Sequence, residues 1–271
     1  MVVGELTQET ELLVIGGGPG GYAAAFRAAD LGMDVAVVDE SGGAGGVCLF
    51  RGCIPSKALL HVTEPMYDAA RASEMGIAFE PPRLDLERLR GWRDGVVAKL
   101  AAGLSTLADR RGVQMVKARA VFEGPDVVRL YGSEIARFKF RHAIIASGSR
   151  PAMLPGVECR DGGRIMDSTT ALALDEVPET LLVVGGGYVG LELGSVYAAL
   201  GSKVSMVEAG ANLLPGLDPE IVRPLRRRIE SSFESLLLGT RVKSFSESPE
   251  GVSVTLDGEA EAQDHCFSRV L

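Results

Sequence analysis

The chain repeats itself at an offset of 169 positions without a gap, and no other feature narrows its fold as far. Val14-Ile15-Gly16-Gly17-Gly18-Pro19-Gly20-Gly21 falls on Val183-Val184-Gly185-Gly186-Gly187-Tyr188-Val189-Gly190, Leu31-Gly32 on Leu200-Gly201, and Val35 to Asp39 on Val204 to Glu208. Each copy reads apolar strand, glycine turn, helix closed by a glycine, second strand and acid, with the acid 23 residues after the first glycine. One Gly-x-Gly-x-x-Gly is a weak signal; two in full strand-helix-strand context define two nucleotide-binding units. In such a turn the first glycine (Gly16, Gly185) permits the bend. The second (Gly18, Gly187) lets a pyrophosphate approach the backbone, and the third (Gly21, Gly190) lets helix pack on strand. Gly20, Tyr188 and Val189 lie in the same turns. The helix N-terminus faces the anion with unpaired N–H groups and the positive end of its dipole. Asp39 and Glu208 are placed to accept hydrogen bonds from a ribose diol. A carboxylate repels a 2′-phosphate, and Ala209 to Asn212 contains no arginine to receive one, so the second unit is expected to prefer NAD to NADP.

With 271 residues the chain has room for about two domains, and 46% hydrophobic with 24% charged residues is ordinary globular composition. A net charge of −8 supplies no basic stripe, which makes nucleic acid a poor partner. Neither a secretory signal nor a membrane-spanning run is visible, so a cytoplasmic protein without membrane contact is expected. The 4 cysteines are too few for a disulfide scaffold, and no metal site is expected.

Between the copies, Ser56 to Ala72 reads as a helix, followed by Leu86, Leu89, Trp92, Val96, Leu100, Leu104 and Leu107 on the apolar face of a second. The two are expected to form an antiparallel pair, with Arg88, Arg90, Arg93, Asp94 and Lys99 on a solvated face. Val113 to Ile135 reads as a small antiparallel excursion, and His142 to Ile145 as a buried strand running into Ala146-Ser147-Gly148. Pro151 to Pro178 is the expected connection, giving a boundary near residue 150. Beyond Glu208, a helix is expected over Ile221 to Phe233 with a solvated basic face (Arg223, Arg226, Arg227, Arg228), then strands near Arg241 to Ser246 and Val252 to Leu256.

Just after the first acid lies Gly45-Gly46-Val47-Cys48-Leu49-Phe50-Arg51-Gly52-Cys53-Ile54-Pro55-Ser56-Lys57. Two thiols that close a small ring can cycle between disulfide and dithiol, and a helix starting at the second stabilises a thiolate there. This GGxCxxxGCIPSK segment, in its order with both glycine motifs, resembles the flavoprotein disulfide reductases, and within them the dihydrolipoamide dehydrogenases. The resemblance covers essentially the whole chain. It implies an α/β fold of two Rossmann-like domains with central parallel sheets, the second inserted into the first. Residues 1–150 would bind FAD and carry the redox disulfide, 151–265 would bind NAD, and 266–271 would begin a strand returning to the first domain. Cys53 would lie against the flavin and Cys48 exchange with the dithiol. Lys57 would sit by the flavin, paired with Glu192 on the nicotinamide side. Gly46, Val47, Ala120, Ala146, Ser147 and Gly148 would line the FAD site, while Tyr188 and Val242 would lie by NAD. Tyr188 is equally well a packing residue.

Some positions depart from that pattern: Ser147 stands for threonine, Asp39 for the commoner glutamate, and Phe50-Arg51 for Asn-Val. Arg51 could support a thiolate or face solvent. Relatives continue into a dimer-interface domain carrying a His-Glu pair, and His61, His142 and His265 have no such context. The sequence therefore reads as the N-terminal portion of a homodimeric enzyme that passes electrons from dihydrolipoamide, borne on the lipoyl domain of a 2-oxoacid dehydrogenase complex, to NAD. The alternatives are an inactive nucleotide-binding remnant, or a relative such as a mercuric or glutathione reductase.

Overall fold

The computed structural model describes residues 6–80, 82–154, 157, 159–160, 162–257 and 263–271, which form two compact units. Residues 1–5 and Pro155-Gly156 of the expected connection lie outside the described residues.

The first unit joins the segment ending at Pro55 to Asp94–Arg150. It contains β1 (Thr7–Ile15), α1 (Pro19–Asp30), β2 (Val35–Asp39), α2 (Gly46–Arg51), the start of α3 (Cys53–Glu74), most of α4 (Leu86–Arg110), β3 (Gln114–Lys117), β4 (Arg119–Phe122), β5 (Val127–Tyr131) and β6 (Arg137–Ile145). One sheet runs β3-β2-β1-β6-β5-β4, parallel as far as β6 and antiparallel beyond. Strand alternation splits its apolar residues between two clusters: Leu13, Ala36, Val38 and Phe138 in one, and Leu12, Val14, Val35 and Val37, with Ala25 of α1 and Ala108 of α4, in the other.

The second unit joins Ser56–Arg93 to Pro151–Leu271. It adds α5 (Ser168–Ala173), β7 (Thr180–Val184), α6 (Tyr188–Leu200), β8 (Lys203–Glu208), α7 (Pro219–Ser232), β9 (Ser235–Leu238), β10 (Arg241–Glu247), β11 (Val252–Asp257), β12 (Gln263–Phe267) and β13 (Arg269–Val270). The parallel sheet runs β13-β7-β8-β9, beside an antiparallel sheet β10-β11-β12. The repeat thus extends past what the sequence displays, since β9-β8-β7-β13 reproduces the order β3-β2-β1-β6.

Several expectations change. Within the expected segment 266–271, Arg269 and Val270 pair in parallel with Leu181 and Leu182 and extend the second unit's sheet, where Val270 packs with the fully buried Leu182. The division is not a simple cut at 150, because Leu59 with Leu60, Met66, Leu86 and Leu89 packs into the second core while Ala108 packs into the first. The two long helices meet where the rings of His61 and Trp92 lie 6.4 Å apart. Trp92, Leu100 and Leu107 of the expected apolar face remain exposed. Gln114–Lys117 is a parallel strand beside β2, not part of the antiparallel excursion. His142 to Ile145 form a strand but are exposed, because β5 pairs only with the Arg137–Lys139 end of β6. The basic faces are not merely solvated. Arg93 is buried and donates to the Leu172 carbonyl, Arg90 donates to that of Leu174, and Arg228 stacks on Tyr67 at 4.6 Å. The connection also holds α5, started by an Asp167–Thr170 capping box.

Each glycine turn is held by its own acid. The Gly17 N–H donates to Asp39 Oδ2 at 2.7 Å, and the Gly186 N–H to Glu208 Oε2 at 2.6 Å. The other carboxylate oxygen accepts from the residue two positions on, Ser41 N–H at 2.8 Å or Gly210 N–H at 2.6 Å. Burial pushes the Asp39 carboxyl up, but the Ser41 hydroxyl, the Gly17 and Ser41 N–H groups and the Arg51 charge outweigh it and hold it below its ordinary 3.8. The third glycines close the turns: a Cβ on Gly21 would sit 1.8 Å from the Gly16 oxygen, and one on Gly190 2.4 Å from that of Gly185. The second glycines differ, for a Cβ on Gly187 would meet nothing within 4 Å and one on Gly18 only the Gly46 Cα at 4.0 Å.

Two outcomes follow from these contacts. Gly21→Ala and Gly190→Ala should each cost about 1–3 kcal/mol in urea unfolding, whereas Gly187→Ala should change stability by less than about 1 kcal/mol. Equal losses at all three positions would contradict the assignment. Because the folded value of Asp39 is depressed, its stabilisation is present above the unfolded value and lost as pH falls through the folded one. Asp39→Asn should therefore trail the parent in thermal unfolding at pH 7, with the gap narrowing as pH falls below about 5 and on through the depressed folded value; a constant gap would remove the carboxylate from the account.

Candidate functional site

Helices α1 and α6 begin at Gly18 and Gly187 without a side-chain cap, while α5 and α7 are capped by Asp167 and Asp218. Their first-turn N–H groups take no side-chain cap and so can receive an anion, beside glycines where a Cβ would meet nothing nearer than 4.0 Å. The residues fit a dinucleotide pyrophosphate at each turn.

In the first unit the expected residues converge at the ends of β1, β2 and β6. Gly46, at φ +58, presses so close that a Cβ would lie 2.6 Å from the Gly18 Cα, and the half-exposed Val47 follows it. The Ala146 N–H donates to the Ile15 carbonyl at 2.8 Å, and a Cβ on Gly16 would strike the Ala146 oxygen. Ser147 and Gly148 are exposed beyond it, with Gly148 at φ +73. Ala120 and Val242 occupy matching places: the Ala118 N–H binds the Asp39 carbonyl at 3.1 Å, the Thr240 N–H binds that of Glu208 at 3.0 Å, and each residue stands two further along its chain.

Cys48 is half-buried on α2, and the exposed Cys53 opens α3. Arg51, at the end of α2, directs its charge on Asp39. Lys57 follows Cys53 by one helical turn, and its Nζ lies 2.6 Å from Glu192 Oε1 on α6. The Ser56 hydroxyl donates to Glu192 Oε2 at 3.0 Å. The body of α3 is fixed by the buried Leu59, by the Tyr67 hydroxyl donating to the Ser195 carbonyl at 3.1 Å, and by Arg228 over the Tyr67 ring. The pairing of Lys57 with Glu192 was thus expected; Ser56 was not, and its only signal was its position three residues after Cys53.

Beside the second glycine turn a cavity of about 380 Å³ is lined by Met153, Leu154, Cys159, Gly187, Tyr188 and Val189, among others. Tyr188, one of its lining residues, is 71% exposed and packs little. Burial and the nearby Asp167 push the Cys159 thiol up, so this cysteine is a poor thiolate. Among the described residues no group of three or more His, Cys, Asp or Glu could hold a metal ion, and no helix is long and apolar enough to cross a membrane.

Comparison with known proteins agrees with this geometry. Residues 10–268 match the pyridine nucleotide-disulphide oxidoreductase family. The chain is 45% identical over 267 residues to dihydrolipoyl dehydrogenase 2 of Haloarcula marismortui, covering 96% of this chain and 56% of the relative. It is 41% identical over 264 residues to dihydrolipoyl dehydrogenase of Geobacillus stearothermophilus, covering 97% and 56%. Among solved structures, LpdA of Mycobacterium tuberculosis superposes with a TM-score of 0.83 at 24% identity, over 97% of this chain and 57% of that one. The flavoprotein disulfide reductase RclA of Escherichia coli gives 0.78 at 25%, over 96% and 55%. The chain therefore spans little more than half the length of these relatives, and it belongs to the pyridine nucleotide-disulphide oxidoreductase family.

Proposed function

We propose that this chain is the nucleotide-binding and redox-disulfide portion of a dihydrolipoyl dehydrogenase, moving two electrons from dihydrolipoamide through Cys48 and Cys53 to NAD, with FAD held at the first glycine turn. The observation that carries the reading is the Lys57–Glu192 pair. Exposed ion pairs contribute about 0–1 kcal/mol to stability, and the Lys57 side chain is 57% exposed, so stability gives little reason for a 2.6 Å contact between residues 135 apart. A device that fixes an ammonium one turn beyond a redox cysteine gives a better one.

In this reading a substrate thiolate attacks Cys48 Sγ of the disulfide and Cys53 leaves as a thiolate, stabilised by the start of α3. The second substrate thiolate attacks the mixed disulfide, closing the lipoamide ring and releasing Cys48; the substrate has lost two electrons and two protons. Bound FAD supplies a two-electron relay between the dithiol and the nicotinamide. Gly18 and Gly187 admit the pyrophosphates, Asp39 and Glu208 hold the ribose ends, and Tyr188 covers the nicotinamide pocket. The homodimer and the lipoyl-domain partner belong to the same reading. A glutathione- or mercury-reducing relative is disfavoured by Glu208, which repels the 2′-phosphate of NADPH.

With added FAD, the chain should develop flavin absorbance, and alkylation without reduction should label Cys159 and Cys266 while sparing Cys48 and Cys53. NADH should bind more than tenfold more tightly than NADPH, a difference above about 1.4 kcal/mol, and Glu208→Gln should narrow the gap while keeping an acceptor for Gly186. Equal affinities for the two nucleotides, or labelling of both Cys48 and Cys53 in flavin-bound protein, would overturn the reading. Gly187→Ala should abolish NADH binding in a protein that remains folded.

A further inference from the structure

We propose that Ser56 is a positioning residue for Glu192, and through it for the Lys57 ammonium; this rests on the function proposed above. Residues three and four apart share a helix face, so the segment from Cys53 places Ser56 and Lys57 side by side on α3. They divide one carboxylate between them. Ser56 Oγ donates to Oε2 at 3.0 Å and Lys57 Nζ to Oε1 at 2.6 Å. Their environments differ: Ser56 is 5% exposed, while the Lys57 side chain is 57% exposed. A lysine on a long, solvated stem cannot orient a carboxylate by itself, because four rotatable bonds and competing water leave its head free to wander. The buried hydroxyl can, since it has one carbon of reach and its backbone is fixed in α3. With Oε2 held, the carboxylate plane is set and Oε1 offers Lys57 a single docking direction. Loss of the hydroxyl should let Glu192 turn and broaden the distribution of Lys57, without removing either charge.

The test is a cycle of Ser56→Ala, Glu192→Ala and the double variant, with Ser56→Thr as the conservative rescue. In thermal unfolding of the chain without added cofactor, Ser56→Ala should lower Tm by about 4 °C alone and by less than about 1 °C in the Glu192→Ala background, while Ser56→Thr stays within about 1 °C of the parent. Equal losses in both backgrounds would mean that Ser56 only packs, and would overturn the proposal. In NADH-driven dye reduction with added FAD, Ser56→Ala should lower kcat about three- to tenfold with KM for NADH changed less than twofold, and Ser56→Thr should restore kcat. An unchanged kcat, or a loss confined to KM, would equally overturn it. Absence of dye reduction by the parent chain would count against the proposed function, leaving the thermal cycle to decide the hydrogen bond.

Discussion

A carboxylate at the end of the second strand of each unit closes the glycine turn at the end of the first. Asp39 and Glu208 each accept from the N–H of the glycine following the first glycine of the motif, and from the residue two positions beyond the acid. Charge-assisted hydrogen bonds of this kind are about twice as strong as neutral ones. They fix the turn, and the uncapped N-termini of α1 and α6 follow directly from it. The same clamp leads into the third parallel strand of each unit or the segment after it, through the carbonyls of Asp39 and Glu208. A carboxylate has about four acceptor sites, so either acid can hold its turn and still meet a ribose.

Around these turns the glycines divide by physical reason. Gly16 and Gly185 are needed for their backbone angles, at φ +106 and +110, and Gly21 and Gly190 because a carbonyl occupies the place of a side chain. Gly17 and Gly186 are likewise crowded, by the Gly43 oxygen and by Leu213. Gly18 and Gly187 carry neither constraint, since a Cβ at either would meet nothing nearer than 4.0 Å, so the fold alone does not account for them. A glycine the fold does not require, at the mouth of an uncapped helix, is the local mark of a backbone reserved for a ligand.

The pair Lys57–Glu192 depends on a different anchor. Helix α3 buries Leu59 in the core of the second unit, where Tyr67 and Arg228 tie it to α6 and α7. This is why a solvated lysine can meet a glutamate far along the chain with close geometry. The arginines of α4 serve the same end: Arg90 and Arg93 satisfy carbonyls at the end of α5, groups that a helix cannot pair internally.

Local sequence determined both strand-turn-helix-strand units, because glycine conformation, helix dipole and strand alternation act over a few residues. It likewise determined where α3 begins and which acids face the turns. Pattern alone could not place Arg269–Val270, since a two-residue strand fits any open sheet edge and only the edge of β7 at Leu181 and Leu182 selects one. Nor could it distinguish a solvated arginine from Arg93, whose partner is a carbonyl 79 residues away. The same holds for His142 to Ile145, apolar enough to read as buried yet exposed where β5 stops pairing. Ser56 is the sharpest case: its residue type is compatible with a helix start anywhere, and its role exists only because α6 brings Glu192 to it across 136 positions. Motifs fix what a few neighbouring residues can do, whereas burial and partnership are properties of surfaces that meet only when the chain has folded.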